Sequence, residues 1–196
     1  WVSGLIKGDG VVDGFTGATP LAQAAAGNTS FVDGFGNHLS TLDLIVGAIP
    51  GSIGETSKIA IMLGAIILLF TGIASWRVMI SMLFGGMAAG IIMNLTAVNP
   101  FMAIPFYDHL LIGSFMFGMV FMATDPVTAA QTNTGKYIYG FLIGIMVIII
   151  RVLNPAYPEG TMLAILLMNV FAPLIDHYVV QSNINRRLKR VKKVKA

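Results

Sequence analysis

The sequence predicts an all-α integral membrane protein with about five transmembrane helices, preceded by a glycine-rich extracytoplasmic segment. Of its 196 residues, 56% are hydrophobic and only 11% are charged, whereas a soluble domain usually carries about 25% charged residues. The mean hydropathy is +0.80. This composition excludes a soluble globular enzyme and an intrinsically disordered chain.

Five apolar runs follow residue 55, and each is close to the ~20 residues that a helix needs to cross a bilayer. Asn99-Pro100, Asp125-Pro126 and Asn154-Pro155 are typical turn sequences and separate some of these runs. A sixth apolar stretch, 41–49, is too short to span, and we expect a re-entrant or surface helix there. The predicted helices cover 57–75, 77–95, 108–124, 137–153 and 160–180.

The charges divide the chain into three predicted parts: an extracytoplasmic segment, 1–55, a five-helix membrane domain, 56–180, and a basic cytoplasmic tail, 181–196. Seven of the twelve basic residues lie in that tail. Because cytoplasmic flanks of membrane helices are enriched in Lys and Arg, this places the C-terminus inside and, with five spans, residues 1–55 outside. A nucleic-acid-binding tail is the alternative, but the membrane flank is favoured, and no nucleic-acid partner is expected.

The common catalytic and metal-binding motifs are missing from the sequence. The absence of Cys excludes disulfides, Cys-ligated zinc and an iron–sulfur cluster held by this chain alone. The three His residues have no metal-ligand spacing. In Gly8 to Gly14, Asp13 replaces the third glycine of a dinucleotide-binding loop. Independent NADH chemistry is therefore not expected of this chain.

The segment D-G-F-T-G-A-T-P, residues 13–20, displays the hydroxyl of Thr19 on a loop of small residues. Gly17 and Ala18 leave room for a bulky group to approach that hydroxyl. The alternative is a purely structural role, in which Thr16 or Thr19 caps a helix that begins at Pro20. The residues by themselves leave both roles open.

Four stretches, taken in order, resemble one protein family. They are Asp13 to Thr19, Gly51 to Ser57, Met122 to Val127 and Asn154 to Gly160. The first is similar to the motif at which a flavin transferase joins FMN to threonine. Together they resemble the family that comprises the B subunit of the sodium-translocating NADH:quinone oxidoreductase and its Rnf-complex homologue. The chain resembles the C-terminal half of that B subunit.

The resemblance implies a flavoprotein of the bacterial inner membrane, with its C-terminus in the cytoplasm. FMN would be linked to Thr19 through a phosphothreonine ester, within an attachment motif that includes Asp13, Thr16, Gly17 and Ala18. Riboflavin is a further flavin of the implied complex, with no location assigned. The implied partners are a second flavin-bearing subunit, an NADH-oxidising subunit, quinone and the lipid bilayer, and Na⁺ would be the transported ion.

Two acids and two aromatic residues are candidates for an ion pathway. Ionisable groups at membrane depth are costly, so Asp125 and Asp176 are functional candidates by default. Their structural alternatives are a cap for Asp125 and a headgroup ion pair with Arg186 or Arg187 for Asp176. Helical spacing predicts Phe117, Phe121 and Asp125 on one face. That stripe indicates either packing or a hydrophobic constriction above an acidic mouth, and the resemblance favours an ion pathway for all four residues.

Two other functions stay open. An Rnf-type D subunit would serve a complex that uses ferredoxin and NAD instead of quinone. A channel or transporter half with no redox role is an alternative of a different class. A flavin bound covalently to Thr19 separates the redox subunits from the channel.

Overall fold

The computed structural model describes residues 18–28, 30–33, 36–52, 54–154 and 157–195. The regular secondary structure of these residues is helical, apart from one isolated antiparallel bridge, Val32 with His38. The prediction of an all-α membrane protein is confirmed. The α-helices are α1 Pro20–Ala25, α2 Thr41–Val46, α3 Lys58–Phe70, α4 Trp76–Leu95, α5 Phe106–Leu111, α6 Phe115–Phe117, α7 Asn133–Leu153 and α8 Thr161–Lys195.

Three described helices are long and apolar enough to cross a membrane: α4, α7 and the Thr161–Arg190 part of α8. The expected number was about five. Helix α3 has 13 residues, or about 20 Å at 1.5 Å per residue, which is shorter than the ~30 Å hydrocarbon core. The expected count is therefore corrected to three full-length spans and one shorter apolar helix.

The predicted third helix, 108–124, is wrong as a continuous element. Helix α5 ends before Ile112, which is extended, and Gly113 has a φ of +64° that favours glycine. After α6 the chain widens into a π-helix, Gly118–Met122, closed by the Ala123 amide donating to the Gly118 carbonyl at 2.7 Å. The break follows from backbone geometry at two glycines, which hydropathy does not register.

Helices α4 and α7 run parallel and pack with their backbones in close approach. A Cβ atom on Gly140 would lie 2.6 Å from the Val78 carbonyl oxygen, and one on Gly144 would lie 2.2 Å from that of Met82. On α4, a Cβ on Gly85 would lie 2.2 Å from the Phe141 carbonyl oxygen. The small residues are thus packing contacts of the bundle.

We expect Gly144→Leu to unfold the bundle, because the new side chain meets backbone atoms that cannot move aside. The cost should exceed the ~1–3 kcal/mol typical of overpacked cores. Thermal unfolding of the purified protein in detergent measures it. Ala60→Leu, on an exposed position of α3, is the matched control and should leave the melting temperature within a few degrees; equal melting of the two variants would contradict the packing described here.

The other three segments, α3, 106–122 and α8, run opposite to α4 and α7, so successive segments along the chain alternate in direction and the bundle has two distinct ends. Lys58, at the start of α3, and Arg151, near the end of α7, contact the backbone of the 106–114 region and lie at one end, here called the arginine end. Asp176 of α8 contacts residues 131–132 before α7 and lies at the opposite end, here called the aspartate end. The segments therefore alternate in direction as predicted, although the predicted third helix is broken.

Helix α8 continues without interruption past Pro173 to Lys195. The basic residues 186–195 thus extend the last helix at the aspartate end. Asp176 consequently lies in the middle of α8, rather than in its last turns as predicted. The division of the chain into three parts and the side of the membrane stay predictions.

The described part of the N-terminal segment packs on the arginine end through its own small core. Leu21 and Ala24 of α1 are 1% and 0% exposed. They belong to one buried apolar cluster that also includes residues of α2 and of the loop between α4 and α5. Its members are Leu21, Ala24, Phe31, Leu44, Ile49, Phe101, Ile104 and Ile112.

Candidate functional site

Thr19 is the N-cap of α1. Its Oγ1 accepts a hydrogen bond from the Ala22 amide at 3.2 Å, and Pro20 occupies the first helical position. This confirms the geometry of the capping role. The bond uses only a lone pair of Oγ1, and an ester oxygen keeps acceptor lone pairs, so capping and ester formation at Thr19 are chemically compatible.

Gln23, which the sequence did not single out, fixes the backbone next to Thr19. Its side-chain amide nitrogen donates to the Ala18 carbonyl at 3.0 Å and to the Val32 carbonyl at 2.7 Å. Its amide oxygen accepts from the Val32 amide at 2.9 Å. Gln23 is 7% exposed, so this clamp is buried and ties the start of α1 to the turn that follows it.

The structure describes only part of the expected attachment motif. Ala18 is exposed and Thr19 is half-buried. Asp13, Thr16 and Gly17 lie outside the described residues. Within this motif the structure thus bears only on Ala18 and on Thr19, the candidate acceptor.

Asp125 lies at the aspartate end, in the turn that follows the π-helix. Its Oδ2 accepts from the Thr128 hydroxyl at 2.6 Å and from the Thr128 amide at 3.1 Å. These hydrogen bonds, together with a weaker one from the Val127 amide, hold the pKa of Asp125 below its ordinary value. The carboxylate is thus ionised at neutral pH and caps the turn, as the structural alternative expects.

Asp176 reaches from α8 to the other end of the same loop. It accepts hydrogen bonds from the Gln131 amide at 2.6 Å, the Thr132 amide at 3.0 Å and the Thr132 hydroxyl at 2.6 Å. The predicted alternative, an ion pair with Arg186 or Arg187, is wrong because the carboxylate is bound to this loop. The structure therefore brings both acids to the single loop 123–132: Asp125 lies in it, and Asp176 of α8 binds its last two residues.

The two phenylalanines lie together, but the expected three-residue stripe does not form. The rings of Phe117 and Phe121 are 5.0 Å apart. Both face α3 and the turn before it, because a Cβ on Gly64 would lie 2.6 Å from Phe121 Cζ and one on Gly54 would lie 3.2 Å from Phe117 Cε2. Asp125 leaves this face because the helix ends at Met122.

A buried polar cluster at the arginine end was missed by the sequence analysis. Arg151 and His109 are both 0% exposed, and the Arg151 Nη1 donates to the His109 carbonyl at 2.5 Å. Lys58, 3% exposed, donates to the Glu55 carbonyl. Glu159 accepts from the Ser114 hydroxyl at 2.7 Å. We call Glu55, Lys58, His109, Arg151 and Glu159 the arginine cluster.

The arginine cluster lies directly beneath α1. A Cβ on Gly113 would lie 2.8 Å from Leu21 Cδ2, 3.3 Å from Arg151 Nη2 and 3.3 Å from Glu159 Oε2. The Leu21 side chain and the buried guanidinium therefore approach the same glycine, and Leu21 lies two residues after Thr19. A lone Arg in the apolar run 137–153 was the sequence signal for this cluster.

Comparison with known sequences assigns the chain to a family. The sequence model of the NQR2, RnfD, RnfE family matches residues 1–185. The chain belongs to this family. The resemblance stated on four short motifs is thereby confirmed over nearly the whole sequence.

Curated relatives within the family are closely similar. The chain is 54% identical over 190 residues to proteins of Ectopseudomonas mendocina and Pseudomonas aeruginosa, and 54% identical over 192 residues to one of Chromohalobacter salexigens. Each is named as the B subunit of a Na(+)-translocating NADH-quinone reductase. Each alignment covers 94% of this chain but only 46–47% of the relative, so the chain spans about half the length of these relatives.

Proposed function

We propose that this chain is part of a membrane subunit of a Na⁺-translocating NADH:quinone oxidoreductase and passes electrons towards quinone through FMN linked to Thr19. The 54% identity over 94% of the chain to proteins of that name carries the proposal. The position of Thr19, half-buried at the start of α1 and next to the exposed Ala18, supports it. Because every relative cited above carries the quinone-reductase name, we favour this function over the Rnf-type alternative.

Within this proposal the chain's own residues have separate tasks. FMN, when bound, supplies one- and two-electron transfer. Thr19 would hold the phosphate, and Gln23 would keep the acceptor backbone in place through Ala18. Ions would enter past Asp125 and Asp176 at the aspartate end, with Phe117 and Phe121 as the apolar constriction.

The assembled complex provides the test of the function. We expect NADH-driven quinone reduction that requires Na⁺, and Na⁺ uptake into proteoliposomes in the same preparation. A complex containing a Thr19→Ala variant of this chain should lose both activities while still assembling. Ferredoxin-dependent reduction of NAD with no quinone reduction would instead identify the Rnf-type function.

The proposed topology predicts opposite accessibility for the two ends of the chain. In this Cys-free sequence, Ser30→Cys and Arg190→Cys introduce single labels at exposed positions. We expect an impermeant thiol reagent to label residue 30 from outside and residue 190 only after the cytoplasmic face is opened. Labelling of both from one side would contradict the proposed orientation.

A further inference from the structure

Helix α4 begins at the aspartate end with a tryptophan that contacts a tyrosine of α7. The 20 residues of α4 measure about 30 Å, the thickness of the hydrocarbon core of a bilayer, so its first residues lie at the membrane surface. Trp76 is the first residue of α4, and its ring centre is 6.2 Å from that of Tyr137, with the two ring planes at 84°. The aromatic pair thus joins the starts of both helices at the level of the lipid headgroups.

Arg77 places a positive charge beside this aromatic pair. Its guanidinium carbon lies 5.2 Å from the centre of the Trp76 ring. A guanidinium that lies over an aromatic face keeps N–H groups free at its edge, and these match a phosphate bidentately. Neither α4 nor α7 contains an acidic residue, and the acids of this end, Asp125 and Asp176, accept hydrogen bonds from the loop 123–132. The charge of Arg77 is therefore open to an anionic partner.

Two rows of exposed apolar residues begin at the aromatic pair and run towards the middle of the membrane. On α4 the exposed residues follow Trp76 at intervals of four, and on α7 Phe141 follows Tyr137 at the same interval, so each row lies on one side of its helix. Because the two helices are parallel and the rows start from contacting rings, the rows are neighbours. Together they form what we call the α4–α7 face: Trp76, Ile80, Phe84, Tyr137 and Phe141.

We propose that Arg77, Trp76 and Tyr137 bind the headgroup of an anionic phospholipid, whose acyl chains lie along the α4–α7 face. The phosphate accepts hydrogen bonds from the Arg77 guanidinium, and the Trp76 N–H and the Tyr137 hydroxyl are further donors. A zwitterionic lipid brings an ammonium of its own that offsets the attraction to Arg77, so a headgroup with negative charge alone is preferred. The site requires that α4 and α7 span a membrane, and it does not depend on the redox function proposed above.

The expected result is a lipid preference next to Trp76. We expect phosphatidylglycerol to be favoured over phosphatidylcholine about fivefold, because one basic residue at an anionic membrane surface contributes ~1 kcal/mol. Arg77→Gln should remove the preference. Arg77→Lys keeps the charge but loses the planar fork, and should retain part of it.

The experiment measures how brominated lipids quench the fluorescence of Trp76 in the assembled complex. The complex is reconstituted in vesicles that contain phosphatidylglycerol and phosphatidylcholine in varied proportion, with bromine on the acyl chains of one lipid at a time. The emission of Trp76 is obtained by subtracting the spectrum of the matching Trp76→Phe complex. This subtraction removes the emission of every other tryptophan, including Trp1.

Lys136→Gln is the matched control, because it removes one positive charge at the same end of the bundle. Lys136 lines a small cavity with Asp125 and Gln131 and therefore faces the loop 123–132. This variant should keep the lipid preference. If Arg77→Gln does not assemble, Arg77→Lys and the unaltered complex still provide the comparison.

A preference for phosphatidylglycerol that is lost in Arg77→Gln and kept in Lys136→Gln supports the proposal. Equal losses in both variants overturn it, because the preference would then reflect the diffuse positive charge of this end. Equal quenching by the two lipids in the unaltered complex also overturns it. If neither lipid quenches Trp76, a partner subunit covers the α4–α7 face, and the lipid site is refuted.

Discussion

Thr19→Ala is expected to abolish covalent flavin on this chain completely. The reason is chemical, because alanine has no oxygen to form the phosphoester. The variant also loses the cap bond from the Ala22 amide, which should cost about 1 kcal/mol of stability. In-gel flavin fluorescence of the denatured protein, after co-expression with the flavin transferase, measures the outcome.

Two controls separate attachment from folding. Thr19→Asn keeps a good N-cap but offers no hydroxyl, and should fold normally without flavin. Thr16→Ala tests the other hydroxyl of the motif and should retain flavin. Full fluorescence in the Thr19→Ala protein would show that the flavin is attached elsewhere.

Asp125→Asn is expected to raise the Na⁺ concentration needed for half-maximal quinone reduction by about tenfold, equivalent to ~1.4 kcal/mol. A carboxylate at a pore mouth concentrates cations and replaces hydration oxygens, and the amide loses the charge. The amide oxygen still accepts from Thr128, so the turn is preserved. Turnover against Na⁺ concentration in the assembled complex measures the effect.

Thr128→Val is the matched control for Asp125. It removes the 2.6 Å hydrogen bond to the carboxylate but leaves the negative charge in place. Wild-type Na⁺ dependence is expected for this variant, with a small loss of stability. If Asp125→Asn and Thr128→Val need the same Na⁺ concentration for half-maximal quinone reduction, the charge of Asp125 has no role in ion uptake. Asp125 would then act only as a turn cap, and the ion pathway must lie elsewhere in the protein.

Hydropathy predicted the positions of the long helices well, because a bilayer requires apolar runs of definite length. It failed at 108–124. The chain leaves the helix at Ile112 and Gly113 and widens at Gly118, and these are backbone events that leave the average hydropathy unchanged. The Thr19 cap was foreseen because Thr-Pro at a helix start is a local signal.

The sequence did not reveal which partners Gln23 and Asp176 bind, although Asp176 itself was a predicted candidate. Gln23 joins Ala18 to Val32, and Asp176 binds a loop more than forty positions earlier. No local pattern encodes such pairs. Arg151 was visible as a single charge within an apolar run, but only the fold places it beside His109 and beneath α1.

The most direct test of the central claim is mass spectrometry of the native protein isolated from its complex. After digestion, the peptide containing Thr16 and Thr19 should carry the added mass of FMN less water, and fragmentation should place that mass on Thr19. The same peptide with no added mass, in a complex that reduces quinone in a Na⁺-dependent manner, would contradict the claim that electrons pass through a flavin held by this chain.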